Sequence, residues 1–255
     1  MTKDIEVKVR NHPVFDFLVM EAVVPLDFVQ SLDAEVDKVF SRKVKDDDFS
    51  DKLVGQIKTG AQLKLNREES EVFEQFHGIV ESFAMKYAKF FEESISSSNQ
   101  ELHVAAHCNE MWSVHSFAND YNPLHDHGKL RPDTGAMSFV LWTKIPENMR
   151  NEKATSMKGA SGMLDGAISF VNGPMGQGFD LELRPTKVLS IEPKVGRMVI
   201  FPSWLNHMVY PFRCEGERRS LAGNIALFSK EHLSHEKIQG DGLQPQESNT
   251  SGEPN

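Results

Sequence analysis

The sequence predicts a mainly β protein with flanking helices, a sandwich or jelly-roll barrel preceded by two helical segments. Three observations carry this. From about residue 102 to about residue 228, short apolar runs alternate with Gly, Pro and Asn turn signals, the signature of many short strands. Upstream, two stretches place apolar residues at steps of three and four, the spacing of amphipathic helices. The chain has 255 residues, enough for one domain with its own core. Residues 1–100 are therefore assigned to strands and supporting helices that pack on the barrel. Residues 101–230 form the barrel, and residues 240–255 a disordered tail, since Gly240 to Asn255 holds almost nothing that can enter a core.

Composition narrows the function classes. A hydrophobic content of 39% and a charged content of 25% are those of an ordinary globular protein. The net charge of −9 argues against a nucleic-acid partner, because phosphate binding needs clustered Lys and Arg. Two cysteines, Cys108 and Cys214, cannot make a disulfide framework, which favours a reducing compartment. Met1 to Glu6 lacks the apolar core of a signal peptide. No apolar run approaches the roughly 20 residues that span a bilayer. The expectation is a cytoplasmic protein with no membrane partner.

Taken in order, Ile5, Val7 and Val9 alternate and Phe15 to Val19 is apolar, which predicts one or two strands. Pro25 then opens a helix whose apolar face is Phe28, Val29, Leu32, Val36, Val39 and Phe40. The charge run from Lys43 to Asp48 reads as a solvated loop. Asn66 and Glu69 have the spacing of a capping box. The helix after them carries Val72, Phe73, Phe76, Ile79, Val80, Phe83, Tyr87, Phe90 and Phe91 on one face, to be buried against the outside of a sheet. Strands are expected at 103–107, 110–117, 123–127, 136–145, 167–172, 187–192, 197–201, 206–211 and 218–228. The polar stretches 148–162 and 172–178 are expected to be loops.

Three histidines and one arginine stand out. On a strand, side chains alternate between faces, so His125 and His127 point one way and Asp126 the other. Two such imidazoles can hold one metal ion, with nitrogen about 2.0–2.1 Å from it; a pair of solvated loop histidines is the plainer alternative. Downstream, Phe201-Pro202-Ser203-Trp204-Leu205-Asn206-His207 places one His at the start of a strand. A lone His there is ordinarily a satisfied core residue. Beside His125 and His127 it completes one face of an octahedron and leaves positions open, as oxygen-activating iron requires. Arg218 and Ser220 share a strand face, and a guanidinium beside a hydroxyl suits a carboxylate. The plainer reading makes Arg218 and Arg219 surface charges near Glu215 and Glu217. Asn224 falls on the Arg218 face. His103, His107 and His115 read as polar strand or surface residues.

The order His-x-His, long insertion, Phe-Pro-Ser-Trp-Leu-x-His, Arg-x-Ser resembles the Fe(II)- and 2-oxoglutarate-dependent dioxygenases. It is most similar to the prolyl-hydroxylase-like branch found in phages and bacteria. The resemblance covers Glu110 to about Phe228, including the strand Met137 to Trp142, with a weaker echo in Leu53 to Ile57. It implies a double-stranded β-helix (jelly-roll) core. It also implies Fe(II) on His125, His127 and His207, and 2-oxoglutarate with its distal carboxylate on Arg218 and Ser220. Such a protein hydroxylates an unactivated C–H bond, a prolyl or other amino-acid side chain by default, inside a dry wall that includes Trp142, Phe170, Phe201 and Trp204. The family ordinarily has Asp or Glu where this chain has His127, and a local bulge would be needed to bring Asp126 in. Two other readings stay open. A cupin would use the three histidines without a cosubstrate, but its usual Glu is replaced by Arg131 or Pro132. A jelly roll that has lost its chemistry would serve as a binding or structural protein.

Overall fold

The computed structural model describes residues 8–14, 17–42, 60–94, 102–128, 135–149, 162–172 and 188–231. In chain order these form β1 (Lys8–Val14), β2 (Phe17–Val23), α1 (Leu26–Arg42), β3 (Ala61–Lys64), a 3-10 turn (Arg67–Glu69) and α2 (Glu71–Ser94). There follow β4 (His103–Ser116), β5 (Asn122–His125), β6 (Gly135–Lys144), β7 (Ile168–Val171), β8 (Val188–Ile191), β9 (Arg197–Pro202), β10 (His207–Val209) and β11 (Arg218–Ser229).

The strands pair antiparallel into two sheets, one ordered β1-β2-β9-β6-β11-β4-β3 and the other β5-β10-β7-β8. This is the mainly β, jelly-roll architecture expected. The large sheet is buried on both faces, which is why β9 reads as an unbroken apolar run, Met198-Val199-Ile200-Phe201. Strand alternation sorts its side chains. Met137, Phe139 and Leu141 of β6, with Met198 and Ile200 of β9 and Leu221 and Ile225 of β11, face the helices. Val199, Phe201 and Trp142 face the small sheet, where they meet Ile168, Phe170 and Ile191.

Both helices pack on the outer face as their periodicity predicts. Val29, Leu32, Val36 and Val39 of α1 are buried, as are Phe73, Phe76, Val80 and Phe83 of α2. Phe76 is the pivot, set edge-on against Phe139 with ring centroids 5.7 Å apart. Replacing it with Ala would cost about 3–5 kcal/mol. The Tyr87 hydroxyl donates to the Leu18 carbonyl at 2.8 Å and pins α2 to β2. At the centre of β11, Gly223 allows the Phe139 ring and the Glu110 carbonyl to approach so closely that a Cβ would strike both.

Some expectations need correction. The segments 103–107 and 110–117 are one strand, β4, with a register shift opposite Asn224 and Ile225 that leaves Asn109 unpaired. A bulge of this kind depends on the partner strand and leaves no local mark. The Asn66–Glu69 box closes the 3-10 turn instead of opening the helix: the Asn66 N–H donates to Glu69 Oε1 at 3.2 Å. The cap of α2 is Ser70, whose Oγ accepts the Phe73 N–H at 3.1 Å. Ile5, Val7, Phe15, residues 43–59, 150–161, 173–187 and the expected tail at 240–255 lie outside the described residues.

Candidate metal centre

His125 and His207 are directly opposed partners on β5 and β10, with ring centroids 4.3 Å apart. β5 is the edge strand of the small sheet, where Pro123 costs no ladder bond. His127 is not on a strand, contrary to the expected strand 123–127, because β5 stops at His125. A turn carries the chain onward instead. Asp126 Oδ1 accepts the Gly128 N–H at 2.9 Å, and Gly128 has a positive φ of 62°, which glycine adopts without strain. The His127 N–H donates to the Ser203 carbonyl at 2.9 Å, which swings its imidazole inward. The ligand atoms of His125, His127 and His207 then lie within 4.8 Å of one another. Among the described residues no other group of three His, Cys, Asp or Glu could hold an ion.

The Pro202–Leu205 turn organises two of the three rings. It closes through Leu205 N–H to Pro202 O at 2.9 Å. Its Ser203 carbonyl holds the His127 backbone, and its Leu205 carbonyl faces His207 Nδ1 at 2.9 Å. The Pro123 carbonyl faces His125 Nδ1 at 2.7 Å in the same manner. A carbonyl can only accept, so each Nδ1 carries the proton and each Nε2 keeps its lone pair, the form that binds a metal. His127 Nε2 and His207 Nε2 are 3.3 Å apart. Burial, helped by the nearby His125, holds the imidazolium pKa of His127 down at about 4 and that of His207 at about 3. At neutral pH both are neutral donors. Asp126, exposed and engaged with Gly128, is outside the cluster.

Arg218 and Ser220 line the same cavity from the opposite sheet, and both are buried. The Nε of Arg218 has no hydrogen-bond partner among the described residues. Burial lowers its pKa to about 10, so it keeps its charge at neutral pH. Arg219 points the other way, where Asp33, Asp37 and Glu217 surround it at 2.8 Å. The plainer reading of two surface charges therefore fits neither arginine: both are buried, Arg219 within an ion-pair network that includes Glu217, Arg218 facing the cavity. Burial works against Glu217 ionising, but hydrogen bonds from His115 and Arg219 drive its carboxyl well below the usual range.

The cavity is about 200 Å³, with an apolar lining from Val114, Val140, Ile168, Val209 and Ala222. Trp142, Phe170 and Phe201 are buried in the core beside it. Trp204 is not part of the dry wall: it is 54% exposed, because it sits inside the turn while its neighbours face in. His115 is a strand residue but not a surface one. It is buried, with Nδ1 2.6 Å from Glu217 and its ring stacked on Phe40. His103 and His107 meet Glu92 and Glu81 of α2.

Asn224, which strand alternation places on the Arg218 face, reaches the cavity and belongs to a chain of bonds; Glu110 and Trp112 of the lining were missed from the sequence. Ser138 Oγ donates to Asn224 Oδ1 at 2.9 Å and meets Ser203 Oγ at 3.0 Å. Asn224 Nδ2 donates to Glu110 Oε2 at 3.3 Å. Glu110 and Trp112 share one face of β4, which alternation could have flagged once β4 was known to neighbour β11.

Residues 110–224 match a family model described as "Putative 2OG-Fe(II) oxygenase". The match runs from Glu110 to Asn224 and contains all five residues singled out for metal and carboxylate binding. The family suggested by the motif order is thus the one whose model matches. No curated protein matches the chain. Among solved structures, a prolyl-4-hydroxylase of Pseudomonas putida aligns with a TM-score of 0.50 at 15% identity, covering 89% of this chain and 94% of that one. HygX of Streptomyces hygroscopicus, with nickel and 2-oxoglutarate bound, aligns with a TM-score of 0.50 at 12% identity, covering 83% and 82%. The non-heme alpha ketoglutarate dependent epimerase SnoN from nogalamycin biosynthesis aligns with a TM-score of 0.50 at 10% identity, covering 82% and 78%. At these identities the likeness shows a shared fold. Among the described residues no helix is long and apolar enough to cross a membrane.

Proposed function

We propose that this chain is an Fe(II)- and 2-oxoglutarate-dependent oxygenase that hydroxylates an unactivated C–H bond, in a prolyl or other amino-acid side chain. The observation that carries the reading is Arg218, a buried cation whose Nε has no hydrogen-bond partner among the described residues, facing the cavity that holds three imidazoles. A buried charge is costly unless paired, and a dicarboxylate entering this cavity would pair it. His125, His127 and His207 would hold the iron; Arg218 and Ser220 would hold the distal carboxylate. A cupin-type reaction without a cosubstrate gives Arg218 no partner.

Bound together, iron and 2-oxoglutarate supply the oxidising power: O2 is consumed, 2-oxoglutarate becomes succinate and CO2, and one oxygen atom enters a C–H bond. The chain's own residues do three things. The Nδ1 carbonyl contacts of His125 and His207 fix which nitrogen is offered to the metal. The Arg218 guanidinium, with five donors in a planar fork, orients a carboxylate and neutralises it without titrating. Val114, Val140, Ile168, Val209 and Ala222 give the space between them an apolar wall, beside which charge interactions are stronger than in bulk water.

The test is incubation with Fe(II), 2-oxoglutarate, O2 and proline-containing peptides. Succinate should form with a matching gain of one oxygen atom on a peptide, by mass spectrometry. Succinate formed equally well without added Fe(II) in metal-stripped protein would contradict the reading.

A further inference from the structure

The cavity carries opposite charge at its two ends. Arg218 stands at one end of the β11 face, and Asn224, paired with Glu110 of β4, stands at the other. Glu110 is exposed, yet one of its oxygens is held: Asn224 Nδ2 donates to Oε2 at 3.3 Å. That amide cannot turn over, because its Oδ1 already accepts the Ser138 hydroxyl. The second oxygen of Glu110 has no partner among the described residues. Trp112, two residues along the same face of β4, has its ring centroid 5.9 Å from that of His127. Asp126 also lines this end, exposed, with Oδ1 on the Gly128 N–H. Arg218 is the sole cation among the described lining residues.

We infer that this mouth selects a substrate carrying a cationic nitrogen, an amine or a guanidinium, held between the Glu110 carboxylate and the Trp112 ring. The inference rests on the iron and 2-oxoglutarate reading of the cavity, and the buried Arg218 Nε, without a partner among the described residues, marks the cavity as a ligand site independently of the two carboxylates. Imidazoles bound to a metal add no charge, so the metal and Arg218 together would exceed the two charges of the dicarboxylate by one, and Glu110 with Asp126 then leave the cavity one charge negative, which a cationic substrate would neutralise. Arg218, at the far end, then faces the distal carboxylate. What an arriving substrate meets is the field of Glu110 and Asp126, which draws cations and repels anions. An aromatic face beside a carboxylate is a setting in which a cation is held on two sides. The Ser203–Ser138–Asn224 chain links the orientation of Glu110 to the turn that also positions His127 and His207. Substrate grip and metal geometry thus share one support.

The test uses Co(II)-loaded protein with 2-oxoglutarate and three peptides of one length, Gly-Lys-Gly, Gly-Gln-Gly and Gly-Glu-Gly. The readout is paramagnetic relaxation of their side-chain protons, with Zn(II)-loaded protein as the diamagnetic blank. The lysine peptide should relax at least about fivefold more than either of the others, the size of one favourable cation contact. Glu110→Gln, which keeps an acceptor for Asn224, should bring it down to the glutamine peptide. Equal relaxation of the three peptides, or a lysine preference that survives Glu110→Gln, would overturn the inference. Relaxation of 2-oxoglutarate itself, in the wild-type sample, separates the two readings. If 2-oxoglutarate is relaxed and the peptides are not discriminated, the cation inference alone fails. If 2-oxoglutarate is not relaxed, the cosubstrate reading fails and takes this inference with it.

Discussion

Arg218 and Arg219 are adjacent in the chain and opposite in their surroundings. Arg219 meets Asp33, Asp37 and Glu217, each at 2.8 Å, while the Arg218 Nε meets no acceptor among the described residues. Strand alternation makes the difference, sending one guanidinium to the helix side of the large sheet and the other into the cavity. A fold has no use for a second buried cation without a counter-charge, so the two residues should respond to mutation in opposite directions.

Arg218→Met should leave the protein without cosubstrate at least as stable as the wild type, because it removes an uncompensated buried charge. It should weaken 2-oxoglutarate binding by roughly thirtyfold or more, the loss expected on truncating a buried charge partner. Arg219→Met should instead destabilise the fold by about 2–3 kcal/mol, leaving Glu217, just before β11, and the carboxylates of α1 without their donor. Urea melts of both variants beside calorimetric titration with 2-oxoglutarate check the pair. Equal destabilisation by the two substitutions would contradict the assignment.

The three-imidazole cluster predicts how metal affinity divides. His127→Ala and His207→Ala should each weaken Co(II) binding by about a hundredfold or more, since each removes a ligand and loss of outer partners alone costs about 10–100-fold. Asp126→Asn should change it by less than about tenfold, because that carboxylate is turned to the Gly128 N–H. Competition titrations with a coloured chelator give all three values. A larger loss in Asp126→Asn than in His127→Ala would show that the carboxylate is the ligand.

His77 should make the fold acid-sensitive. It is buried in α2, and neither ring nitrogen has a hydrogen-bond partner among the described residues. Burial, with the Arg67 charge, lowers its pKa from 6.5 to about 4. Between those values the unfolded chain takes up a proton that the folded chain refuses, so stability falls as pH drops from about 6.5 toward 4. His77→Leu should remove this part of the slope and raise stability at pH 7 by about 1 kcal/mol, since it also removes an unsatisfied buried polar ring. Thermal melts of both proteins at several pH values in that window decide it; parallel curves would mean that His77 is not the group responsible.

Gly223→Ala should destabilise the protein by about 1–3 kcal/mol, the usual cost of overpacking. A Cβ there has the Glu110 carbonyl and the Phe139 ring against it, and a backbone carbonyl in a paired strand cannot yield. Gly78→Ala in α2, where nothing lies within 4 Å, should be neutral to stabilising, which makes it the control.

The parts of the fold that were legible in the sequence are those fixed by local periodicity. The α1 and α2 stripes, the alternation that separates Arg218 from Arg219, and the start of β10 at His207 each depend on one segment and one rule. What could not be read depends on a partner. The bulge at Asn109 exists only relative to β11. His127 joins the other imidazoles through a turn and a bond to Ser203, not through strand alternation, so the expected grouping arises for a different reason. Trp204 was misplaced because a bulky aromatic beside a buried Phe-Pro step suggests the core, whereas its position within the turn faces outward. Glu110 and Trp112 carried no signal of their own, since one strand alone does not say which of its faces meets a cavity.

If Arg218 and the three imidazoles together bind 2-oxoglutarate on iron, removing the guanidinium should weaken the cosubstrate and spare the metal. The most direct measurement is an anaerobic titration of metal-free protein with Fe(II) and then 2-oxoglutarate, watching the visible absorption of the iron–2-oxoglutarate complex. The wild type should develop this absorption, and Arg218→Ala should require a far higher 2-oxoglutarate concentration while still binding Fe(II). Bound Fe(II) with no absorption change in the wild type, or a titration that Arg218→Ala leaves unaltered, would contradict the account.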